Sequence, residues 1–195
     1  MNRRVLLVIV AVAAAALASC GVTNDGTPRV INAENVPFDL LAPTAGATTT
    51  TIPGQAPIRD VTIFLADPDG HLTQVHRNVE APATLTKALD ALLAGPAADE
   101  AVRLHSAITS DTKLLHVRGP VDGLATIDLS KQLLDVTGRQ QILALAQVVY
   151  TATASPGVDR VLFQFDGESR EVPNGDGTLT STPLGRLSYR SLVAG

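Results

Sequence analysis

The sequence predicts an α+β domain: a mixed or antiparallel sheet of about five to six strands, with two main helices packed on one face. Three observations support this class. Short segments alternate apolar and polar residues, Asp-Gly and Pro-Gly turn signals separate them, and two longer segments carry apolar stripes with helical spacing. Strand hairpins punctuated by helices are typical of the α+β arrangement. We predict the domain over residues 58–182 and a C-terminal extension, 183–195, that packs on it.

The strands are predicted from apolar and β-branched runs bounded by turn residues. They lie at 61–66, 72–79, 113–118, 124–129, 161–166 and around 170–172. Asp and Gly favour tight turns because both tolerate a left-handed backbone. The predicted turns between paired strands are Asp67-Pro68-Asp69-Gly70, Asp122-Gly123 and Asp166-Gly167.

Two helices are predicted from apolar residues spaced three and four apart. The first opens near Thr84 and stops at Gly95-Pro96, and its apolar stripe consists of Leu85, Ala88, Leu89 and Leu92. The second follows Gly138 and ends at Ser155-Pro156-Gly157, with a predicted buried stripe of Ile142, Leu145, Ala146 and Val149. Both stripes are interpreted as core surfaces.

The amino terminus has the pattern of a lipoprotein signal peptide. Arg3 and Arg4 precede an apolar run over 5–17, which is shorter than the roughly 20 residues that span a bilayer. The segment Leu17-Ala18-Ser19-Cys20 resembles the bacterial lipobox. The resemblance implies that cleavage between Ser19 and Cys20 removes residues 1–19. It also implies that lipid, including palmitate, is attached to Cys20, the only cysteine of the chain. An uncleaved membrane anchor is the alternative, and Arg3-Arg4 leaves twin-arginine export open beside the general secretory route.

The segment 20–57 is rich in Thr, Pro and Ala and shows no sustained period, so we predict a lipidated flexible tether. Two or three acyl chains would hold the protein firmly in a bilayer, since each buried methylene contributes about 0.8 kcal/mol. The predicted location is therefore the extracytoplasmic face of the cell membrane, lipid-anchored through Cys20.

Composition argues against several classes of partner. The net charge is −4, and removal of residues 1–19 would delete two basic residues and no acid, so nucleic acid is not expected to bind. Aromatic residues make up only 3% of the chain, which disfavours base-stacking surfaces and aromatic sugar platforms. One cysteine permits neither an intramolecular disulfide nor a Cys-based zinc site.

No catalytic or metal-binding constellation is evident in the sequence. The four histidines lack the spacing of a zinc motif and are interpreted as surface groups: His71, His76, His105 and His116. The acidic pairs fall at turns, where Asp caps backbone groups, and the weakly calcium-like Asp67-Pro68-Asp69-Gly70 lacks the downstream Glu of a calcium loop. We therefore predict no cofactor, no metal and no enzymatic activity.

Several local motifs carry a resemblance to a known family. The most specific are Gly123–Ser130 (GLATIDLS) and Ala144–Thr151 (ALAQVVYT), and Ala88–Pro96 (ALDALLAGP) supports them. In order and spacing these motifs resemble the GerMN domain of bacterial sporulation and germination lipoproteins and of actinobacterial LpqB-type lipoproteins.

The resemblance implies one α+β envelope domain without established catalytic residues. Turn and cap chemistry already accounts for the motif positions, so we predict a structural role for Gly95, Pro96, Asp128, Asp166 and Gly167. The implied function is a non-catalytic interaction module in the cell envelope, with an envelope protein or peptidoglycan as partner. A cell-wall hydrolase, recognisable by a pocket that joins His105 or His116 to a carboxylate, and a small-ligand-binding lipoprotein are the alternatives.

Overall fold

The computed structural model describes residues 56–193. The predicted signal peptide, Ser19, Cys20 and the tether up to Gln55 lie outside the described residues, as do Ala194 and Gly195. In chain order the strands are β1 (Ile58–Ala66), β2 (Leu72–Glu80), β3 (Leu114–Val121), β4 (Leu124–Leu129), β5 (Arg160–Phe165), β6 (Glu168–Ser169), β7 (Val172–Pro173) and β8 (Leu179–Thr180). The helices are α1 (Leu85–Leu93) and α2 (Arg139–Ala152), with 3-10 helices at Lys131–Asp135 and Arg186–Leu192.

The predicted α+β class is confirmed, and the strands form three hydrogen-bonded sheets within residues 56–193. β1 and β2 make an antiparallel hairpin, β3-β4-β5-β6 make a four-stranded sheet, and β7-β8 make a small ladder. The four-stranded sheet is mixed because β4 and β5 pair in parallel while its other pairs are antiparallel. The helix α2 lies between β4 and β5 in the chain, as a parallel pair requires.

The predicted sixth strand around 170–172 is divided in the structure. Glu168 and Ser169 pair with β5, whereas Val172 and Pro173 leave that sheet and pair with Thr180 and Leu179. The sequence pattern gave no sign of β8, because a two-residue strand is too short to show any alternation.

The two Asp-Gly turns form as predicted. Asp122 and Gly123 have φ values of 50° and 76°, and Asp166 and Gly167 have φ values of 50° and 81°. Two successive positive φ values identify the type I′ turn, whose twist matches that of the strands it joins.

Helix α1 follows its predicted pattern. The Thr84 hydroxyl accepts a 3.3 Å hydrogen bond from the Lys87 backbone N–H, which caps the amino end. The four predicted stripe residues are buried, and the chain leaves the helix at Gly95, which has a φ of 77°.

Helix α2 differs from the one-sided stripe that its sequence predicted. All ten residues from Leu143 to Ala152 are buried, and Ile142 is only partly buried. The helix packs against β1, α1 and β5 and against the C-terminal 3-10 helix, so apolar neighbours surround it. This position brings Gln147 and Thr151 into the interior, where both are fully buried.

The C-terminal segment contributes side chains to the main core. Leu184, Tyr189 and Leu192 belong to the same buried cluster as the helices and the sheet. The segment is joined to β5 by the two backbone hydrogen bonds between Leu184 and Val161, each 2.8 Å long. Within residues 56–193, no helix is long and apolar enough to cross a membrane.

Candidate functional site: the outer face of the four-stranded sheet

The four-stranded sheet has an inner face covered by the core and an outer face that no helix of the described domain covers. On β4 and β5 the inward-facing Ile127 and Phe163 are buried in the core. The alternate residues form the outer face, which we define by His116, Arg118, Thr126, Asp128, Leu162 and Gln164. In the register of the sheet, His116, Asp128 and Gln164 lie in one row, and Arg118, Thr126 and Leu162 lie in the next.

Two shallow hollows lie on this outer face and share Arg118. The first, of about 340 Å³, is lined by His116, Val117, Arg118, Asp128, Gln164 and Gly167. The second, of about 400 Å³, is lined by Arg118, Gly119, Val121, Asp122, Leu124, Thr126 and Arg160. Together they form a groove across the three strands, in which charged and polar groups lie beside a larger share of apolar surface.

Asp128 is the most buried polar residue of the groove. Its side chain is 7% exposed, and its Oδ1 accepts a 3.0 Å hydrogen bond from the Gly167 backbone N–H. The neighbouring Asp166 N–H donates to the Leu129 carbonyl at 3.0 Å. Asp128 therefore holds the turn after β5, which is the turn formed by Asp166 and Gly167.

His116 lies beside Asp128 at the open side of the groove. Its Nδ1 is 3.6 Å from Asp128 Oδ2, and its side chain is 79% exposed. This is the His-to-carboxylate pocket that the hydrolase alternative required. Ser, Thr and Cys are missing from the residues that line this hollow, so its side chains offer a carboxylate and an imidazole but no hydroxyl or thiol nucleophile.

Arg118 is oriented by a hydrogen bond from its Nη2 to the Gln164 side-chain oxygen. The interaction spans β4, since Arg118 lies on β3 and Gln164 on β5. The guanidinium carries five N–H donors, so most of them remain for another acceptor.

The other histidines lie away from this groove. His76 Nδ1 is 2.7 Å from Asp60 Oδ2 on the exposed side of the β1-β2 hairpin. The His105 backbone forms an isolated bridge with Ala66, with N–O distances of 2.8 and 2.9 Å. Neither His76 nor His105 lines either hollow of the groove.

Asp67, Asp69 and His71 form the one group within residues 56–193 whose ligand atoms could approach a common cation, all within 4.8 Å of one another. Asp67 Oδ1 already accepts the backbone N–H groups of Asp69 and His71, at 3.0 and 2.8 Å. The hydrogen bond from His71 is the main cause that lowers the pKa of Asp67. Turn formation thus accounts for the position of Asp67, and the absence of a metal stays a prediction.

The Gly95-Pro96 motif lies at a junction between α1 and the hairpin. Arg77 on β2 forms an ion pair with Glu100, and its Nη2 also lies 3.5 Å from the Gly95 carbonyl. The hydrogen bond from Arg77, helped by the Ala97 N–H, holds the pKa of Glu100 below its ordinary value, while burial acts in the opposite direction. The predicted structural role of Gly95 and Pro96 stays a prediction, and this geometry agrees with it.

A larger hollow at the C-terminal segment could not be foreseen from the sequence. It measures about 590 Å³ and is lined by Thr153, Val158, Asp159, Arg160, Pro183, Gly185, Arg186, Leu187 and Ser188. Beside it the Arg186 guanidinium lies 5.6 Å from the Phe64 ring centre and 5.3 Å from that of Tyr150, within the range of cation–π attraction. Sequence spacing carries no signal for contacts between such distant segments.

The described domain is thus a small α+β domain with its helices on one side of a mixed sheet and an open groove on the other. Residues 62–171 match the family model described as "Germane: Sporulation and spore germination". That span is more than half of the 195-residue chain, so the chain belongs to the Germane (GerMN-domain) family, as its motifs predicted.

Solved structures of sporulation protein domains from Bacillus subtilis share the fold. The tandem GerMN domains of GerM are 24% identical with a TM-score of 0.55, and the similarity covers 74% of this chain and 49% of that chain. This chain therefore spans about half of the tandem structure. The first GerMN domain of GerM is 22% identical with a TM-score of 0.51, with coverage of 66% and 98%. No curated protein matches the sequence.

Proposed function

We propose that this chain is a membrane-anchored bacterial lipoprotein whose single GerMN domain is a non-catalytic interaction module in the cell envelope. The observation that carries the proposal is the outer face of the four-stranded sheet. It presents Arg118, Gln164 and the Asp128 carboxylate in a groove that the folded domain leaves open. Polar side chains fixed by the sheet on an open face suit the binding of an extended partner, either an envelope protein or peptidoglycan.

The anchor part of the proposal rests on Cys20 and is tested separately. Intact-mass spectrometry of the protein purified from its native membranes should find a chain that begins at Cys20 and carries diacylglyceryl and acyl groups. Cys20→Ala should move the protein from the membrane to the soluble extracytoplasmic or culture fraction. An unmodified Cys20 thiol, or a retained Met1, would contradict the anchor.

The interaction part is tested by crosslinking in living cells. A photo-reactive amino acid replaces Thr126, which lies on the outer face, or Val102, which is 85% exposed and lies outside the groove. We expect discrete adducts from position 126 that mass spectrometry assigns to one envelope component, and none of the same size from position 102. Equal adduct patterns from both positions would count against the outer face as the binding surface.

A cell-wall hydrolase is the second candidate, and the His116–Asp128 contact is the observation that favours it. In that mechanism His116 would act as a general base towards water, and Asp128 would orient its ring. The purified protein should then release soluble fragments from dye-labelled peptidoglycan, and His116→Ala should abolish the release. If the wild type and His116→Ala release equal, background amounts, the interaction module stands and the hydrolase is excluded.

A further inference from the structure

We propose that residues 48–52 of the predicted tether add a strand to the open edge of β1. This segment pairs antiparallel with residues 58–62, and residues 53–57 form the hairpin loop between them. Three observations carry the proposal: an unpaired stretch of edge, a β-branched segment of equal length just before it, and a turn sequence that joins the two. The proposal is independent of the partner that the groove binds.

The outer edge of β1, on the side away from β2, is occupied over its second half. Ala66 exchanges two backbone hydrogen bonds with His105, of 2.9 and 2.8 Å. Phe64 donates its N–H to the Thr151 hydroxyl and accepts at its carbonyl from the Gln147 side chain, each at 3.0 Å. Every second residue from Phe64 onwards is therefore satisfied on this side.

Thr62 and Asp60 continue the same alternation towards the start of β1. Every second residue of an antiparallel strand directs both its N–H and its C=O to one side, so the backbone groups of these two residues face the outer edge. Within the described part of the chain, these groups have no hydrogen-bond partner, and the Ile58 carbonyl receives only a 3.3 Å contact from the Arg59 side chain. An unpaired edge of this kind is a template for a further strand.

The chain just before the described residues has the composition of a strand. Residues 48–52 (TTTTI) are all β-branched, and β-branched residues are favoured in strands. Residues 53–57 (PGQAP) begin with Pro-Gly, which favours a turn, and hairpin loops of five residues are common. The segment therefore has the length, the composition and the connection that the open edge needs.

A five-residue loop sets the register of the new strand. Three pairs of residues then face each other across the hairpin: Ile52 and Ile58, Thr50 and Asp60, and Thr48 and Thr62. The last two pairs exchange backbone hydrogen bonds, because Asp60 and Thr62 direct their groups to this edge. Ile52 would cover Ile58, which is 63% exposed, and a Thr–Thr pair on one face of a sheet is favourable.

A second copy of the domain fits this edge less well than the tether does. Two such edges that pair antiparallel about their centre would place Asp60 opposite its own counterpart, and like charges directly opposite are destabilising. Residues 48–52 carry no charge, and the short loop holds them near β1 at a high effective concentration. Charge and connectivity therefore favour the tether segment as the occupant.

The first test is amide hydrogen exchange of the full-length protein in detergent micelles, measured residue by residue by NMR. We expect the Asp60 and Thr62 amides to be protected in the wild type. Thr50→Pro removes the N–H that donates to the Asp60 carbonyl, and proline is poorly accepted within a paired strand. This variant should speed the exchange of both amides by at least about tenfold, because exchange reports local opening.

The matched control is Thr44→Pro, the same substitution outside residues 48–52. It should change the two exchange rates by less than about twofold, since residue 44 has no place in the hairpin. Unprotected Asp60 and Thr62 amides in the wild type would overturn the proposal. Protection that Thr50→Pro leaves unchanged would overturn it as well, and a second copy would be the occupant if that protection fell on dilution.

The second test measures the register by disulfide formation in variants that also carry Cys20→Ala. Thr51→Cys with Arg59→Cys places two cysteines directly opposite each other, whereas Thr50→Cys with Arg59→Cys places them on opposite faces of the hairpin. Under mild oxidation, the first pair should close an intramolecular disulfide at least about tenfold faster than the second. Equal rates would show that residues 48–52 are not paired with β1, and the proposal would fall.

Discussion

The Phe64 carbonyl on β1 accepts a 3.0 Å hydrogen bond from Nε2 of Gln147 on α2. The N–H of Phe64 donates to the Thr151 hydroxyl oxygen at the same distance, and Gln147 Oε1 accepts a 2.7 Å bond from the Ala107 N–H. Among residues 56–193, β1 pairs with a strand only on its β2 side, and helix side chains satisfy the backbone of Phe64 on its other side. Gln147 is thus a structural polar residue in an otherwise apolar helix.

Gln147→Leu should strongly destabilise the domain. The substitution keeps an apolar side chain of similar size but leaves the Phe64 carbonyl and the Ala107 N–H buried without partners. Each unsatisfied group costs about 1–3 kcal/mol, so we expect the free energy of unfolding to fall by about 3 kcal/mol in urea titrations followed by circular dichroism. Gln74→Leu, at an exposed position of β2, is the control and should change it by less than about 0.5 kcal/mol. Equal effects at the two positions would refute the role of Gln147.

Tyr189→Phe should lower stability by about 1 kcal/mol, the usual contribution of one buried hydrogen bond. Tyr189 is fully buried, and its hydroxyl donates a 2.8 Å hydrogen bond to the Pro173 carbonyl. Differential scanning calorimetry of the two proteins measures the change. Tyr150→Phe removes a partly buried hydroxyl with a longer, 3.2 Å bond to the Arg186 carbonyl and should cost less. The reverse order would contradict this account.

The same tyrosine predicts a response to alkaline pH. Burial raises the pKa of Tyr189 above its ordinary value of 10.0, because the phenolate is poorly solvated in the core. The stabilisation is therefore complete below pH 10.0 and is lost as the pH rises above it. Tyr189→Phe should show a smaller loss of urea midpoint above this pH than the wild type. Parallel curves for the two proteins would show that Tyr189 is not the titrating group.

The Arg77–Glu100 ion pair predicts a response to acid. The pKa of Glu100 is lowered from 4.5, so the pair stabilises the fold above that pH and is lost as the pH falls through the lower, folded-state value. Glu100→Gln should reduce stability at neutral pH and make it fall less steeply below pH 4.5. Urea midpoints across this range measure the effect, with Glu168→Gln as the control, since Glu168 pairs with Arg170 at an exposed site. An equal change of slope in both variants would argue against a specific role for Glu100.

Two substitutions of Asp128 separate the contribution of its hydrogen bond to Gly167 from that of its charge. Asp128→Ala removes the acceptor for the Gly167 N–H and should cost about 1 kcal/mol, whereas Asp128→Asn keeps an oxygen there and should cost less than about 0.5 kcal/mol. Thermal unfolding of both variants provides the measurement. If Asp128→Asn and Asp128→Ala destabilise the domain equally, the negative charge of the carboxylate, rather than the hydrogen bond to Gly167, maintains the turn.

Local sequence signals predicted most of the fold and little of the groove. The two Asp-Gly turns, the Thr84 cap and the α1 stripe depend on residues close in the chain, and all of them form. The stripe predicted for α2 was incomplete. The helix is buried on every side by strands and by the C-terminal segment, and the spacing of apolar residues within the helix does not reveal these distant neighbours. Asp128 was predicted as a motif residue, but its contact was not. Asp128 and Gly167 are 39 positions apart in the sequence, and the parallel pairing of β4 with β5 brings them together.

The bond between Phe64 and Gln147 joins residues 83 positions apart, and the one to Thr151 spans 87. During synthesis, which starts at the amino terminus, the outer edge of β1 at Phe64 therefore lacks its hydrogen-bond partners until α2 has been made. Contacts between residues so far apart in the sequence form late, because the intervening chain must first close into a loop. Such contacts therefore lower the folding rate. The order of the elements thus delays completion of the domain until the segment that forms α2 has been synthesised.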